Sequence, residues 1–293
     1  MFKGSIPALV TPMHQDGAVD FGAWERLIDF HLESGSDAVV VGGTTGESPA
    51  LERAELEDLI RSARRRIAGR IPLIAGSGTA GTAKSVALSR AAEAAGADAL
   101  LVVTPYYNRP TQEGLYRHFT TIADAVNIPL ILYNVPGRTA CDLLPETVGR
   151  LSEHPRIAGI KEATGSVERG AEVLRVSRPG FILLGGDDAT AAPLMRVGAC
   201  GVISVTANVA STAMHEMCAA ALRGAHDEAA RIDATLAGLH EKLFVEPNPI
   251  PVKWAVHRMG LIGPAIRLPL VPLTEANRPA VEAAMRAAGI ELR

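Results

Sequence analysis

Ala95-Gly96-Ala97-Asp98-Ala99-Leu100-Leu101-Val102-Val103-Thr104-Pro105-Tyr106-Tyr107 holds the unit from which the chain is built. It reads as a helix stop, a buried strand and a loop carrying hydroxyls. Glycine is the usual left-handed terminator of a helix, which is the reading for Gly96. Ala99–Val103 is short, apolar and not alternating, the mark of a parallel strand covered on both faces. The same stop, Ser34-Gly35-Ser36-Asp37, precedes Ala38–Val41.

Similar apolar runs recur at Ile6–Val10, Ile71–Ala75, Leu130–Tyr133, Ile157–Ile160, Phe181–Leu184 and Gly201–Val205. Helical patterns separate them. Leu56, Leu59, Ile60, Ala63 and Ile67 fall on one face of such a helix. Strand and helix in alternation predict right-handed βαβ crossovers. Eight units within about 230 residues point to an α/β chain closed into a (β/α)8 barrel, the TIM-barrel architecture. An open doubly wound sheet is the alternative that strand count does not exclude. From His226 onward the pattern is helical, broken at Glu246-Pro247-Asn248-Pro249-Ile250-Pro251, where prolines so spaced cannot continue a helix. The expected division is a catalytic barrel over residues 1–225 and a C-terminal helical layer over 226–293.

Composition narrows the function. The chain has 293 residues, 47% hydrophobic, enough for one large core. A net charge of -3 offers no electrostatic footprint for nucleic acid. No apolar run is long enough for a bilayer, and Met1-Phe2-Lys3-Gly4 leads straight into a strand without the layout of a signal peptide. The cysteines (Cys141, Cys200, Cys218) are odd in number and lack CxxC spacing, which fits a reducing cytoplasm and no disulfide framework.

In a barrel the chemistry gathers where strands end. Lys161 follows the run Ile157-Ala158-Gly159-Ile160, and the chain has only five lysines. A strand that feeds its last residue from a packed core into a pocket is a poor place for an idle cation. Burial favours a neutral amine, and a neutral amine condenses with ketones to a Schiff base. The structural alternative is a snorkelling or ion-paired lysine. The neighbouring ends decide between them. They carry Gly42-Gly43-Thr44-Thr45-Gly46-Glu47, Thr104-Pro105-Tyr106-Tyr107, Tyr133-Asn134-Val135-Pro136-Gly137-Arg138 and Gly185-Gly186-Asp187-Asp188. Exposed backbone N–H groups in the glycine turn can hold a carboxylate. Arg138 can fork onto another. Tyr106, Tyr107 and Tyr133, three of the four tyrosines, bring hydroxyls for the proton transfers of Schiff-base chemistry.

Other motifs are weaker. Gly76-Ser77-Gly78-Thr79-Ala80-Gly81 matches GxGxxG, but Asp98, at the spacing of the required acid, precedes its strand rather than ending it. His215-Glu216 begins a zincin pattern whose second histidine is Ala219. Asp187-Asp188 are expected to cap a helix, and Arg64-Arg65-Arg66 to lie on a solvated helix face near a C-terminus.

Gly43-Thr44-Thr45-Gly46-Glu47, Tyr133-Asn134-Val135-Pro136-Gly137-Arg138-Thr139 and Ile160-Lys161-Glu162 resemble signatures of the pyruvate-dependent class I aldolases. Within them the chain is similar to the dihydrodipicolinate synthase family, from Gly4 to the C-terminus. Thr104-Pro105-Tyr106-Tyr107-Asn108 and Asn248-Pro249-Ile250-Pro251-Val252-Lys253 belong to the likeness. Arg138 with Tyr107 favours that family over its relatives. The resemblance implies condensation of pyruvate with L-aspartate 4-semialdehyde to 4-hydroxy-tetrahydrodipicolinate, the first committed step of diaminopimelate and lysine biosynthesis. It implies an imine of pyruvate on Lys161 and a relay of Thr44, Tyr133 and Tyr107, with Tyr107 reaching in from a neighbouring subunit. Backbone groups of Thr44 and Thr45 would hold the pyruvate carboxylate, and Arg138 the carboxylate of the aldehyde. Gly186 and Ile203 match main-chain positions lining the pocket. No metal or organic cofactor is implied, and the assembly that the resemblance implies is a homotetramer, a dimer of dimers, expected in the cytoplasm.

One departure bears on regulation. Relatives inhibited by L-lysine carry an acidic side chain at the position of Lys84, Asn at Ala80, and histidines at Arg53 and Leu56. Ser48 and Tyr106 remain, but Lys84 sets a cation where the ligand's ammonium needs an anion, so feedback is expected to be weak or absent. Three rivals stay open. One is another aldolase, of the N-acetylneuraminate lyase or keto-deoxy sugar-acid type. The second is a non-catalytic barrel that senses an oxo-acid. The third is a nicotinamide oxidoreductase.

Overall fold

The computed structural model describes residues 2–293. Strands β1 (Gly4–Pro7), β2 (Val39–Val41), β3 (Leu73–Gly76), β4 (Ala99–Val103), β5 (Leu130–Asn134), β6 (Ile157–Glu162), β7 (Ile182–Gly185) and β8 (Gly201–Ser204) form one parallel sheet. Each pairs with its neighbour in sequence, β8 pairs with β1, and a parallel bridge from Ala8 to Val40 joins β1 to β2. A sheet whose last strand returns to its first is a closed barrel, so the open doubly wound sheet is excluded.

Helices α1 (Phe21–Glu33), α2 (Arg53–Ile67), α3 (Thr82–Ala95) and α4 (Gln112–Asp124) follow the first four strands. A single turn α5 (Pro136–Thr139) and then α6 (Pro145–Ser152) follow β5, and α7 (Val167–Val176), α8 (Ala191–Arg196) and α9 (Ser211–Leu222) follow the rest. Helices α10 (His226–Lys242), α11 (Ile250–Arg258) and α12 (Arg278–Ala287) complete the chain. Among the described residues no helix is long and apolar enough to cross a membrane.

The opening stretch behaves as its composition requires. Gly96 closes α3 at φ 104°, where a side chain would be strained, and its N–H reaches back to Ala92 and Glu93. Asp98 then accepts from Leu73 N at 2.8 Å and from Arg64 at 3.0 Å, tying the strand entry to β3 and α2. That is a structural duty, and it removes the acid that a dinucleotide site would need. Gly76 and Gly78 serve packing as well. A Cβ on Gly78 would lie 2.9 Å from the Val103 carbonyl oxygen, too close for any side chain.

The lack of alternation in the strands has a direct cause. Ile6, Val40, Ile74, Leu101, Ile131, Leu184 and Ile203 fill the inside of the barrel. The residues between them, such as Val39, Val41, Leu100, Val102, Leu132, Leu183 and Val202, pack against the helices. Both faces are thus apolar. In α2 the expected face is the buried one: Leu56, Leu59, Ile60, Ala63 and Ile67. Full burial of each large aliphatic side chain contributes roughly 1.5–3 kcal/mol. The helix opens on a capping box, with Glu55 accepting from Glu52 N at 2.9 Å. It ends in Arg64, Arg65 and Arg66, which complement the helix dipole. His215 pairs with Asp37 at 3.1 Å rather than with any metal-binding partner on its own helix.

Two buried histidines couple stability to pH. Burial lowers His31 from 6.5 to about 3 and His118 from 6.5 to about 4, and Nε2 of each ring has no partner. The unfolded chain takes up these protons first. The stability tied to the neutral rings is complete above pH 6.5 and is lost as pH falls toward the folded values. With both rings, their contribution to the unfolding free energy should fall by at most about 2.7 kcal/mol per pH unit, approached about one unit below 6.5. In His31→Leu the slope should drop to about 1.4 kcal/mol per pH unit. Urea unfolding between about pH 6 and 5 measures it, and an unchanged slope would refute this assignment.

Candidate active site

The barrel mouth at the C-terminal strand ends encloses a cavity of about 450 Å³, lined among others by Thr44, Thr45, Tyr133, Arg138, Lys161 and Gly186. Lys161 is the penultimate residue of β6, in register with Tyr133 of β5 and Leu184 of β7. It is 6% exposed, and its Nζ stands 4.3 Å from the centroid of the Tyr133 ring. The amine is therefore inside the cavity wall and does not snorkel to the surface. Gly186 is what makes room for it. A Cβ there would lie 3.0 Å from Lys161 Cε and 2.6 Å from the Ala163 methyl. Any side chain at that position would displace the lysine.

Opposite stands the glycine turn after β2. Gly42 adopts φ 65°, and Glu47 closes the turn in the left-handed region at φ 58°. Gly46 N donates to Gly43 O, and Glu47 N to Thr44 O, both at 3.1 Å. Thr44 lines the cavity, and the buried Thr45 hydroxyl accepts from Asn248 Nδ2 at 3.0 Å. Arg138, on the short turn α5, is exposed at the rim. A second cavity of about 300 Å³ adjoins the first and shares Gly43, Thr44, Tyr133 and Arg138 with it. Ser48, Arg53, Leu56 and Tyr106 line it further out.

Two expected residues keep their side chains out of the cavities of the single chain. Tyr107 is 93% exposed and left-handed at φ 74°, outside both cavities within a single chain. Ile203 is fully buried in the barrel's inner core, and Val205, two residues on, is the one that lines the cavity. The adjacent acids divide their work. Asp187 caps a short turn by accepting from Ala189 N at 3.2 Å. Asp188 does not cap: its Oδ2 accepts from Val205 N and Thr206 N, both at 2.9 Å, and so fixes the end of β8. Glu162, beside Lys161, points away from the cavity and accepts from Asn134 Nδ2 at 3.1 Å and Thr164 N at 2.8 Å. Burial pushes its carboxyl above the ordinary range.

The C-terminal layer contributes residues to which the sequence assigned no role. Asn248, His240, Glu241 and Phe244 line the cavity. Beneath the turn, Lys253 of α11 donates to Glu47 in a fully buried ion pair. The other Glu47 oxygen accepts from Arg267 N at 3.0 Å. Burial pulls the Lys253 ammonium below its ordinary value. The prolines around Asn248 marked this segment as irregular, but nothing local disclosed its target.

The profile of the Dihydrodipicolinate synthetase family matches residues 1–288. The 4-hydroxy-tetrahydrodipicolinate synthase of Methylococcus capsulatus is 56% identical over 290 residues, covering 99% of this chain and 100% of that protein. That of Methylibium petroleiphilum is 54% identical over 287 residues, covering 98% of each. Among solved structures, the chloride-inhibited dihydrodipicolinate synthase from Acinetobacter baumannii, complexed with pyruvate, superposes with a TM-score of 0.98 at 50% identity, covering 99% of this chain and all of that one.

Proposed function

Because the chain belongs to the dihydrodipicolinate synthetase family, we propose that Lys161 is the amine on which its reaction turns. The protein is an enzyme, a lyase of the class I aldolase type, and it condenses pyruvate with L-aspartate 4-semialdehyde to 4-hydroxy-tetrahydrodipicolinate on the route to lysine. The observation that carries the role of Lys161 is its burial in the cavity wall against Tyr133, opposite the Thr44-Thr45 turn.

The Lys161 amine adds to C2 of pyruvate and expels water, giving an imine. The imine withdraws electrons from the methyl carbon, which loses a proton to become an enamine. The enamine carbon attacks the aldehyde, whose oxygen takes a proton. The amino group of the second substrate then adds to C2, and the bond to Lys161 breaks with return of the free amine. Each step moves a proton, and the hydroxyls of Thr44, Tyr133 and Tyr107 form the relay. Backbone N–H groups of Thr44 and Thr45 hold the pyruvate carboxylate, and Arg138 the carboxylate of the aldehyde. Gly186 and the main chain at Ile203 complete the wall. The imine itself is the electron sink, so neither metal nor organic cofactor takes part.

Tyr107 is exposed in the single chain, which suits donation to the site of a second copy. Donation of Tyr107 requires at least a dimer, and the family resemblance extends the proposed assembly to a homotetramer, a dimer of dimers, in the cytoplasm, each chain made of the barrel 1–225 and the layer 226–293. Turnover of the two substrates, coupled to an NADPH-dependent reductase acting on the product, tests the whole. Absence of turnover in folded protein would keep the imine chemistry and shift the aldehyde to sugar-like acids.

Weak lysine feedback follows from the outer cavity. Arg53 lines it, Lys84 is exposed on α3, and Glu52, the acid nearby, is occupied in capping α2. L-lysine is expected to inhibit turnover weakly or not at all. Half-inhibition at submillimolar lysine would reverse this.

A further inference from the structure

We propose that Lys253 is a positioning residue for the pyruvate-carboxylate turn, acting through Glu47. The inference rests on the reading above that backbone groups of Thr44 and Thr45 hold that carboxylate. Glu47 is the last residue of the turn and occupies the left-handed region at φ 58°, which is strained for a residue with a side chain. Such a conformation persists only where its surroundings impose it. Here the restraints are specific. The Lys253 ammonium and the Arg267 N–H take one carboxylate oxygen each, and Glu47 N closes the turn onto Thr44 O at 3.1 Å. Displacing the Glu47 side chain therefore moves the peptide groups at Thr44 and Thr45.

The restraint comes from outside the barrel. Lys253 lies on α11, and Asn248, just before that helix, donates to Thr45 Oγ1 at 3.0 Å. Arg267 adds a further tie, from its guanidinium to Glu55 of α2 at 2.7 Å and to the Ala50 carbonyl at 2.6 Å. The side chains of Lys253 and Glu47 are 2% and 1% exposed, so neither reaches substrate. Two charges so deeply buried seldom stabilise a fold better than apolar residues of the same volume. Their value here is geometric: the C-terminal layer sets the affinity of the turn for a carboxylate.

The test is the double variant Glu47→Gln/Lys253→Met, which leaves no unpaired ion in the interior. Half-saturating pyruvate should rise about tenfold or more, while kcat at saturating pyruvate and KM for the aldehyde stay within about threefold. A merely structural pair would lower thermal stability without that split. Asn248→Ala, which removes a tie and no charge, is the second variant and should raise half-saturating pyruvate about threefold or more even if the double variant fails to fold. Borohydride trapping with pyruvate runs alongside. No adduct in the unaltered enzyme would overturn the function reading and this inference with it. An adduct in the unaltered enzyme with unchanged half-saturating pyruvate in the variants would overturn this inference alone.

Discussion

Lys161→Ala should lose at least about four powers of ten in kcat and the whole of its borohydride-trapped pyruvate adduct. The size follows from what the side chain supplies. Without the amine there is no imine, and the methyl protons of pyruvate keep the low acidity of an ordinary ketone. Neighbouring groups do not substitute: the other four lysines of the chain are Lys3, Lys84, Lys242 and Lys253, none of which lines the cavity. Lys161→Arg should be equally inactive, since a guanidinium stays protonated and cannot form the imine. Fold is not the issue. Lys161 is buried without an ion-pair partner among the described residues, so truncation leaves no orphaned countercharge. Intact-mass measurement after reduction checks both variants. A stable adduct in Lys161→Ala would place the nucleophile elsewhere, and turnover within tenfold of the unaltered enzyme would end the Schiff-base mechanism.

The role of Lys161 is legible in the sequence while that of Lys253, which only belongs to the likeness, is not, and the difference is one of range. Lys161 terminates an apolar run, so its strand, burial and direction into the barrel mouth follow from local pattern once eight such runs are seen. Gly186 differs: only the resemblance singles it out, and its close approach to the Lys161 side chain is visible in the structure alone. Lys253 and Glu47 are 206 positions apart, and Asn248 and Thr45 are 203 apart. No periodicity links such partners; only the closure of the barrel and the return of the C-terminal layer bring them together. Asp187 and Asp188 show the limit at short range. Both looked like caps, yet a one-residue step turns Asp188 away from the turn and onto the N–H groups ending β8. At the end of β8 the inward side chain of Ile203 fills the core and Val205, two residues on, lines the cavity. Tyr107 is a different case: no property of one chain tells where an exposed tyrosine is used.

Arg138→Ala should leave the pyruvate half-reaction standing and damage the second. Arg138 lines the cavity from its exposed rim on a turn of its own, whereas Lys161 is buried in the wall on β6, so removal of Arg138 should leave the imine site in place. A guanidinium fork onto a carboxylate contributes about 3 kcal/mol, which corresponds to roughly a hundredfold. KM for L-aspartate 4-semialdehyde should rise by about that factor, while trapping by pyruvate and borohydride proceeds at an unchanged pyruvate concentration. The division between half-reactions is what discriminates. In an aldolase whose aldehyde partner is a polyhydroxylated sugar acid, no cation on this turn is required to be decisive, and semialdehyde turnover would be poor before the mutation as well as after it. Arg138→Lys sharpens the result: it retains the charge but not the planar pair of donors, so an intermediate KM would show that bidentate geometry matters beyond charge. Unchanged kcat/KM for the semialdehyde in Arg138→Ala would remove the residue from substrate recognition and reopen the question of which aldehyde the enzyme takes.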